Sequence, residues 1–388
     1  GLAHTVTQRI ANSAPEFVFS YARQNKEGEQ RPSPLLARIF GTNYKTLSTH
    51  DLRAQLHGEE PALLAQELER LYQSSEIAHW PQDRAAGGAS ILKEQAACPF
   101  QAFATRRLQA KPLNRAEWGL SAMDRGNLIH RILENIWSPK TPETFRMTGL
   151  EDLKQVMAAQ RLDEVLRYHI SHAFAGLMKE NAGDAWMTSY LESEQQRLLV
   201  RLREWMQCEA ERLPFEVERR EEELKDVHVG GLKLNLRADR IDLLPDGSRL
   251  LIDYKTGDVS AADWQGERMK EPQLPLYAIY GNVENVSGLL FARIRAGKTE
   301  FAGHVANAQA QFEAGLTAKS PLVNKPYNIK MREGWQRALL GLAEEFLRGE
   351  ASVDPKEGPK TCKYCPLPGL CRIAELDLAT DGEEPDDE

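Results

Sequence analysis

Ala238-Asp239-Arg240-Ile241-Asp242, followed after a short gap by Ile252-Asp253-Tyr254-Lys255-Thr256-Gly257, is the stretch on which the reading of this chain turns. Just upstream, Leu232, Leu234 and Leu236 alternate with Lys233, Asn235 and Arg237, the period-two pattern of a half-buried strand. Leu250-Leu251-Ile252 opens a second strand, and Pro245-Asp246-Gly247-Ser248 between them has the composition of a hairpin turn. Residues two apart on a strand share a face, so Asp253 and Lys255 project to one side with Cα atoms roughly 6.6 Å apart. A carboxylate and an ammonium are thus aimed at one point. An acid from the first strand would complete an oxygen-ligand set for a hard divalent cation, since Mg²⁺ sites commonly combine one or two carboxylates with substrate phosphate. Such a cation polarises a phosphoryl oxygen and lowers the pKa of bound water, while the lysine positions that water and stabilises developing negative charge. The reaction this suits is phosphodiester hydrolysis.

Which acid joins is a matter of register. A two-residue turn at Asp246-Gly247 pairs Pro245 with Ser248 and brings Asp242 to the face of Asp253. A three-residue loop or a one-residue bulge instead places Asp239 opposite Lys255 and Ile241 opposite Asp253. The composition of the turn fits either. The bland alternative is a solvated charged face with Arg240 paired to Asp242, because a single Asp-x-Lys is a common tripeptide.

Working outward, the 388 residues are enough for two to three domains, and 41% apolar, 27% charged composition with mean hydropathy −0.51 is that of a water-exposed globular chain. No apolar run approaches the roughly 18 residues that span a bilayer. The net charge of −8 is concentrated in residues 377–388, DLATDGEEPDDE, which hold acids and no base and are expected to form a disordered tail. Between Cys98 and Trp137 the balance reverses: Arg106, Arg107, Lys111, Arg115, Arg125 and Arg131 exceed Glu117, Asp124 and Glu134. That weak basic patch suits phosphate contact and an ordinary solvated helix face about equally. The chain opens Gly1-Leu2-Ala3-His4 without an initiator Met or a targeting pattern, which reads as the cut end of a longer cytoplasmic protein.

Residues 1–90 carry no recognisable chemistry, with an amphipathic helix expected around 50–73. A helical pattern runs from Cys98 through Arg107, and another from about Glu117 to Trp137, where Leu128, Ile129, Ile132, Leu133, Ile136 and Trp137 form a buried stripe ended by Pro139 and Pro142. His130 lies on the flank of that stripe with Asn127 and Glu134. Leu, Ala, Glu, Gln and Arg dominate from about 150 to 212, predicting a helical insertion. A helix should open near Pro272, a strand should cover Val286 to Arg293, and a helix Trp335 to Arg348.

Five cysteines in such a chain do not suggest disulfides. Cys362, Cys365 and Cys371 have C-x2-C-x5-C spacing, and Cys98 lies far upstream. Four thiolates can hold a zinc ion or an iron–sulfur cluster, and for the triplet alone zinc is the usual reading. Cys208, beside Trp205 and Met206, reads as a buried apolar residue.

These segments together resemble the PD-(D/E)XK nuclease superfamily, specifically its RecB-like exonuclease domains of the AddB type, over about residues 90–375. The likeness rests on Ala97-Cys98-Pro99-Phe100, on Gly126-Asn127-Leu128-Ile129-His130 as a Gly-x-x-x-His helix, on the two acidic strands, and on Gln273-Leu274-Pro275-Leu276-Tyr277 as a Gln-x-x-x-Tyr motif. Leu236 and Ala238 depart from the family's glycine and β-branched residue before the first aspartate.

The resemblance implies Mg²⁺- or Mn²⁺-dependent DNA cleavage. It makes Asp239 and Asp253 metal carboxylates, Lys255 the catalytic lysine, the Tyr254 carbonyl a ligand, and His130 a ligand or orienting group; Gln273 and Tyr277 contact a base or phosphate. It selects the register with Asp239 opposite Lys255. A further glutamate is implied among Glu221, Glu222 and Glu223, for which Glu222 is the choice. Cys98, Cys362, Cys365 and Cys371 would hold a [4Fe–4S] cluster rather than zinc, as a staple and not a redox catalyst.

The expected architecture is α/β: a restriction-endonuclease-like mixed central sheet flanked by helices, spanning 91–376, with a helical insertion at about 140–212. Residues 1–90, through Phe17–Tyr21 and Pro32–Leu36, would be the remnant of an inactivated helicase-like region, and a helicase subunit would feed a DNA strand in recombinational repair. Two rival readings are a catalytically silent DNA-binding scaffold and a zinc-stapled protein-interaction module.

Overall fold

Every second residue of the strand Arg249–Lys255 faces a different layer of helices, and this alternation organises the computed structural model. The structure describes residues 2–13, 19, 24–25, 28–29, 33–41, 85–111, 119–307, 310–311, 314–315, 327–363 and 365–373. The chain divides into two units, Gly1–Gln73 and Ser74–Glu388. The first contains helices Leu2–Ala11 and Pro34–Phe40 and a two-residue strand pair, Gln24–Asn25 with Gly28–Glu29. The helix expected at 50–73, four of the five residues Phe17–Tyr21, Arg115, Glu117 and the acidic tail lie outside the described residues.

The second unit is built on five strands in sequence order: β1 (Glu216–Val229), β2 (Leu232–Leu243), β3 (Arg249–Lys255), β4 (Val286–Arg295) and β5 (Lys298–Val305). All neighbours are antiparallel except β3 and β4, which run parallel. A parallel pair needs a crossover, and that connection contains helix Gln273–Tyr280.

One core layer lies between the sheet and four helices, α2 (Ala122–Ile136), α3 (Leu150–Ala158), α4 (Leu162–Glu180) and α5 (Ala185–Ala210), and receives Leu250, Ile252 and Tyr254. The other lies between the sheet and α1 (Ala89–Ala97), α6 (Gln273–Tyr280) and α7 (Ile329–Arg348), and receives Ile241 and Leu251. A mixed five-stranded sheet covered on both faces by helices is the expected α/β architecture, and α3 to α5 form the helical stretch read at 150–212.

The expected stripe on α2 is fully formed: Ile129, Ile132, Leu133 and Ile136 have no exposed surface. Burial of each such side chain contributes about 1.5–3 kcal/mol. The helix begins at Ala122, because Ser121 and Asp124 form a reciprocal capping box that satisfies its first free N–H groups. Beyond Cys98 the helical run is short, Pro99–Ala102, and passes into a π-turn over Phe103–Arg107.

The hairpin register differs from both expectations. Arg240 pairs with Ile252, Ile241 with Leu251, and Asp242 with Leu250. Gly247 donates its N–H to the Leu244 carbonyl, and Leu244 donates to the Ser248 carbonyl, both at 2.9 Å, so the loop is the three residues Pro245-Asp246-Gly247. Its length is as expected for one alternative, but it starts one residue earlier. Pro245 has no N–H to give to the ladder, and Leu244 is buried, so the loop takes the proline and the strand keeps the leucine. The resulting shift is two residues, which preserves side-chain parity.

Candidate active site

Because parity is kept, Asp239 shares a face with Asp253 and Lys255, while Asp242 points to the other side. Lys255 Nζ lies 2.6 Å from Asp253 Oδ2 and 3.9 Å from Glu271 Oε2. Asp239 Oδ2 accepts the Tyr254 N–H at 2.9 Å, a contact that fixes its carboxylate against the end of β3. His130 comes from the opposite layer, on the third turn of α2. Its Nε2 lies 2.9 Å from the Tyr254 carbonyl, which can only accept, so Nε2 carries the proton. In the neutral ring the Nδ1 lone pair then faces Asp239 Oδ2 at 3.3 Å and Glu221 Oε1 at 3.9 Å. One helix and two strands thus bring an imidazole and carboxylates together.

Among the described residues, His130, Glu221 and Asp239 are the one group of three potential ligands whose donor atoms lie within 4.8 Å of one another. Asp253 adds a third acid: it is 1% exposed and Oδ1 has no hydrogen-bond partner. Its Oδ2 meets the Lys255 ammonium at ion-pair distance but without hydrogen-bond geometry. An orphaned buried carboxylate oxygen beside a facing lone pair and two further carboxylates fits a hard divalent cation.

The electrostatics follow from this crowding. Burial first, and then the neighbouring Asp239, push the Asp253 carboxyl up to about 7 against the pull of Lys255. Burial works against a charged His130, but Glu221, Asp239 and Asp253 outweigh it and raise its pKa. The Lys255 ammonium is likewise opposed by burial and held in its charged form by Asp253 and then Glu271.

Glu221, not Glu222, is the acid at this point. Glu222 turns away, accepting hydrogen bonds from the Tyr277 hydroxyl and from Arg219 at 3.1 Å. Glu221 has φ 43°, a left-handed conformation uncommon for a non-glycine residue inside a strand, and its other oxygen meets Arg237 Nε at 2.8 Å. Tyr277 is fully buried and donates to Glu222, outside the cluster, while Gln273 donates Nε2–H to the Arg237 carbonyl at 3.2 Å. A Cβ at Gly126 would make an ordinary 3.5 Å contact with Thr256 Oγ1, so α2 passes close beside the residue following Lys255.

On the other side of the sheet, Arg240 and Asp242 do pair, at 2.6 Å, but they are not solvated. Both are fully buried with Glu209 and Arg212 of the insertion in a four-membered ion network, and Arg240 lies over the Trp137 ring. Arg240 also reaches the Tyr254 hydroxyl at 3.3 Å, so the network braces the residue whose backbone holds Asp239 and His130.

Cys98, Cys362, Cys365 and Cys371 line a single hollow with Phe100 and Val353. No three of their sulfurs lie within 4.8 Å of one another. The segments bearing them are tied by backbone, Phe100 N–H donating to Ser352 and Lys356 N–H to Ala97. Cys208 is half-buried against the first core layer, and burial pushes its thiol up to about 12.

A mixed sheet with acids and a lysine converging at a strand end defines a class of metal-using phosphodiesterase folds. The chain matches the PD-(D/E)XK nuclease superfamily over residues 88–372 and belongs to that family, which is typically made up of nucleases that use divalent metals. No curated protein matches it. Among solved structures it is similar to one titled "Crystal structure of SSO0001", at 16% identity over 63% of this chain and 93% of that one, with a TM-score of 0.26. No helix among the described residues is long and apolar enough to cross a membrane.

Proposed function

We propose that the protein is a Mg²⁺- or Mn²⁺-dependent deoxyribonuclease acting on a DNA strand or duplex end as an exonuclease, with Asp239, Asp253, Glu221 and His130 holding the cation. The observation that carries this reading is the buried Asp253 carboxylate, 2.6 Å from Lys255 on one side and with an unpartnered oxygen on the other. A bound cation would polarise the scissile phosphate and supply an activated water. Lys255 stabilises negative charge on the phosphoryl oxygens, and Asp239, fixed by the Tyr254 N–H, keeps one oxygen directed at the cation position. His130, with its proton committed to the Tyr254 carbonyl, offers Nδ1 as a ligand. The Tyr254 carbonyl, on the Nε2 edge of the ring, orients His130 rather than joining it as a ligand. Gln273, half-buried at the start of α6, would contact a base or phosphate, while Tyr277 braces Glu222 and with it the strand that carries Glu221. Labelled single- and double-stranded DNA incubated with either cation, with and without EDTA, tests the activity; cleavage that survives EDTA removes the proposal.

The same reading gives Cys98, Cys362, Cys365 and Cys371 a [4Fe–4S] cluster. Zinc at about 2.3 Å from each thiolate draws the sulfurs to within about 3.8 Å of one another, whereas a cluster spreads them over four irons. What supports a shared metal group is that the four cysteines line one hollow. An absorption band near about 400 nm in freshly purified brown protein, set against a zinc assay, separates them, because zinc is colourless. A cytoplasmic role in recombinational repair, with a helicase subunit delivering the strand and residues 1–90 as a helicase-like remnant, completes the proposal.

A further inference from the structure

Lys255 has two carboxylates within reach. Asp253 holds its ammonium at 2.6 Å; Glu271 waits at 3.9 Å. Glu271 is not part of the acidic group on His130, and its side chain is only 13% exposed. A third charge holds it there: Lys93 Nζ, from α1, lies 2.5 Å from Glu271 Oε1.

The loop carrying Glu271 is clamped from several sides. Its N–H and that of Lys270 both donate to the Asp263 carbonyl, at 3.2 and 2.8 Å. Arg268, three residues before, donates to the carbonyls of Ala96 and Ala97 at the end of α1 and to Asp354. Lys270 pairs with Glu357 at 2.8 Å. Helix α1 thus supplies both Lys93 and the anchor of the loop, so Glu271 is fixed relative to Lys255 before any ligand arrives.

This arrangement solves a problem the site poses for itself. Asp253 cannot serve a divalent cation and an ammonium at 2.6 Å equally, because two positive centres on one buried carboxylate repel each other. An ammonium displaced from Asp253 in this largely buried place needs a new acceptor. Among the described residues, Glu271 is the other carboxylate within 4 Å of it.

We propose that Glu271 is a positioning residue for the reaction: it takes over the Lys255 ammonium as a divalent cation engages Asp253, with Lys93 keeping Glu271 within reach. This rests on the metal-site reading above. The handover lowers the cost of cation binding and leaves Lys255 beside the cation, turned toward incoming phosphate, rather than locked on Asp253.

The test is Mn²⁺ affinity, measured calorimetrically on the purified full chain for wild type, Glu271→Gln, Lys255→Ala and the double variant, with cleavage of single-stranded DNA followed alongside. Glu271→Gln should weaken Mn²⁺ binding by about tenfold, the scale of one lost charge-assisted contact, and lower kcat. In the Lys255→Ala background, where no ammonium competes, the same substitution should leave Mn²⁺ affinity unchanged. Lys93→Met should reproduce the Glu271→Gln effect in weaker form. Equal weakening with and without Lys255 would mean that Glu271 only holds the loop to α1, and would overturn the handover. Unchanged affinity in Glu271→Gln would overturn it too, while the metal site stood. Mn²⁺ binding that ignores Asp253→Ala would remove the metal-site reading itself, and the handover with it.

Discussion

Lys255 and Asp253 form the contact from which the chemistry is argued, and each can be removed alone. Replacing the ammonium by Lys255→Ala should lower DNA cleavage by about 10²–10³-fold, the usual loss for one stabilising donor, while Mn²⁺ binding is retained; cleavage within a few-fold of wild type would show the lysine to be structural. Glu221 and Glu222 offer a sharper comparison. Glu221→Gln should weaken Mn²⁺ binding, whereas Glu222→Gln, which touches Tyr277 and Arg219, should leave it near wild type, and the reverse order would assign the ligand to the wrong neighbour. That Asp253 and Lys255 share a face was legible from strand parity, whereas Asp239 and His130 were singled out by the family resemblance, since spacing alone left Asp239 and Asp242 both open. Glu221 was not, since three adjacent glutamates lie in a strand without alternation, and nothing in the sequence signals a left-handed φ at one of them. Glu271 and Lys93 meet across most of the domain's length, and such a pairing leaves no local trace.

At the scale of elements, β2, β3 and the apolar stripe of α2 were readable from periodicity, and α6 from its proline. The long strand β1 was missed because its inward and outward positions are both charged, and β5 because it opens on three polar residues, Lys298-Thr299-Glu300. The hairpin register was misplaced by two residues because Asp-Gly attracts the turn assignment, while the decisive facts are the missing N–H of Pro245 and the burial of Leu244. The insertion is more than filling. Glu209→Ala strips a fully buried Arg240 of one partner and should cost about 3–5 kcal/mol in chemical denaturation; a loss under about 1 kcal/mol would mean that the network is dispensable. His169 on α4 gives the same layer a pH dependence. Burial, helped by His172 and opposed by a hydrogen bond to the Phe145 carbonyl, lowers its pKa. The unfolded chain then binds more protons than the folded one, so stability is present above about pH 6.5 and falls as pH drops below it. His169→Gln, which can still donate to Phe145, should lose less Tm than wild type between about pH 7.5 and about pH 5.5. An equal loss would place the acid sensitivity elsewhere.

At the scale of the second unit, two helical layers clasp one sheet, and His130 of α2 meets Glu221, Asp239 and Asp253 at the sheet itself. The cysteine hollow joins the start of this domain to its end, across a span much longer than 100 residues, for which cross-linking is worth about 4.7 kcal/mol or more in the disulfide analogue. If those cysteines share a cluster, Cys365→Ser should lower Tm by several degrees and abolish absorption near about 400 nm together; unchanged Tm would mean that the backbone ties at Ser352 and Ala97 suffice. The overall architecture was legible because alternating strands between amphipathic helices admit few arrangements, whereas the grouping of Cys98 with the C-terminal triplet came from the family resemblance, since local pattern does not carry it. The most direct measurement compares Asp253→Ala with wild type on single- and double-stranded DNA in Mg²⁺ and Mn²⁺, recording cleavage and DNA binding in the same samples. The expected result is wild-type cleavage that disappears in the variant while binding persists; a variant that cuts as fast as wild type would contradict the account.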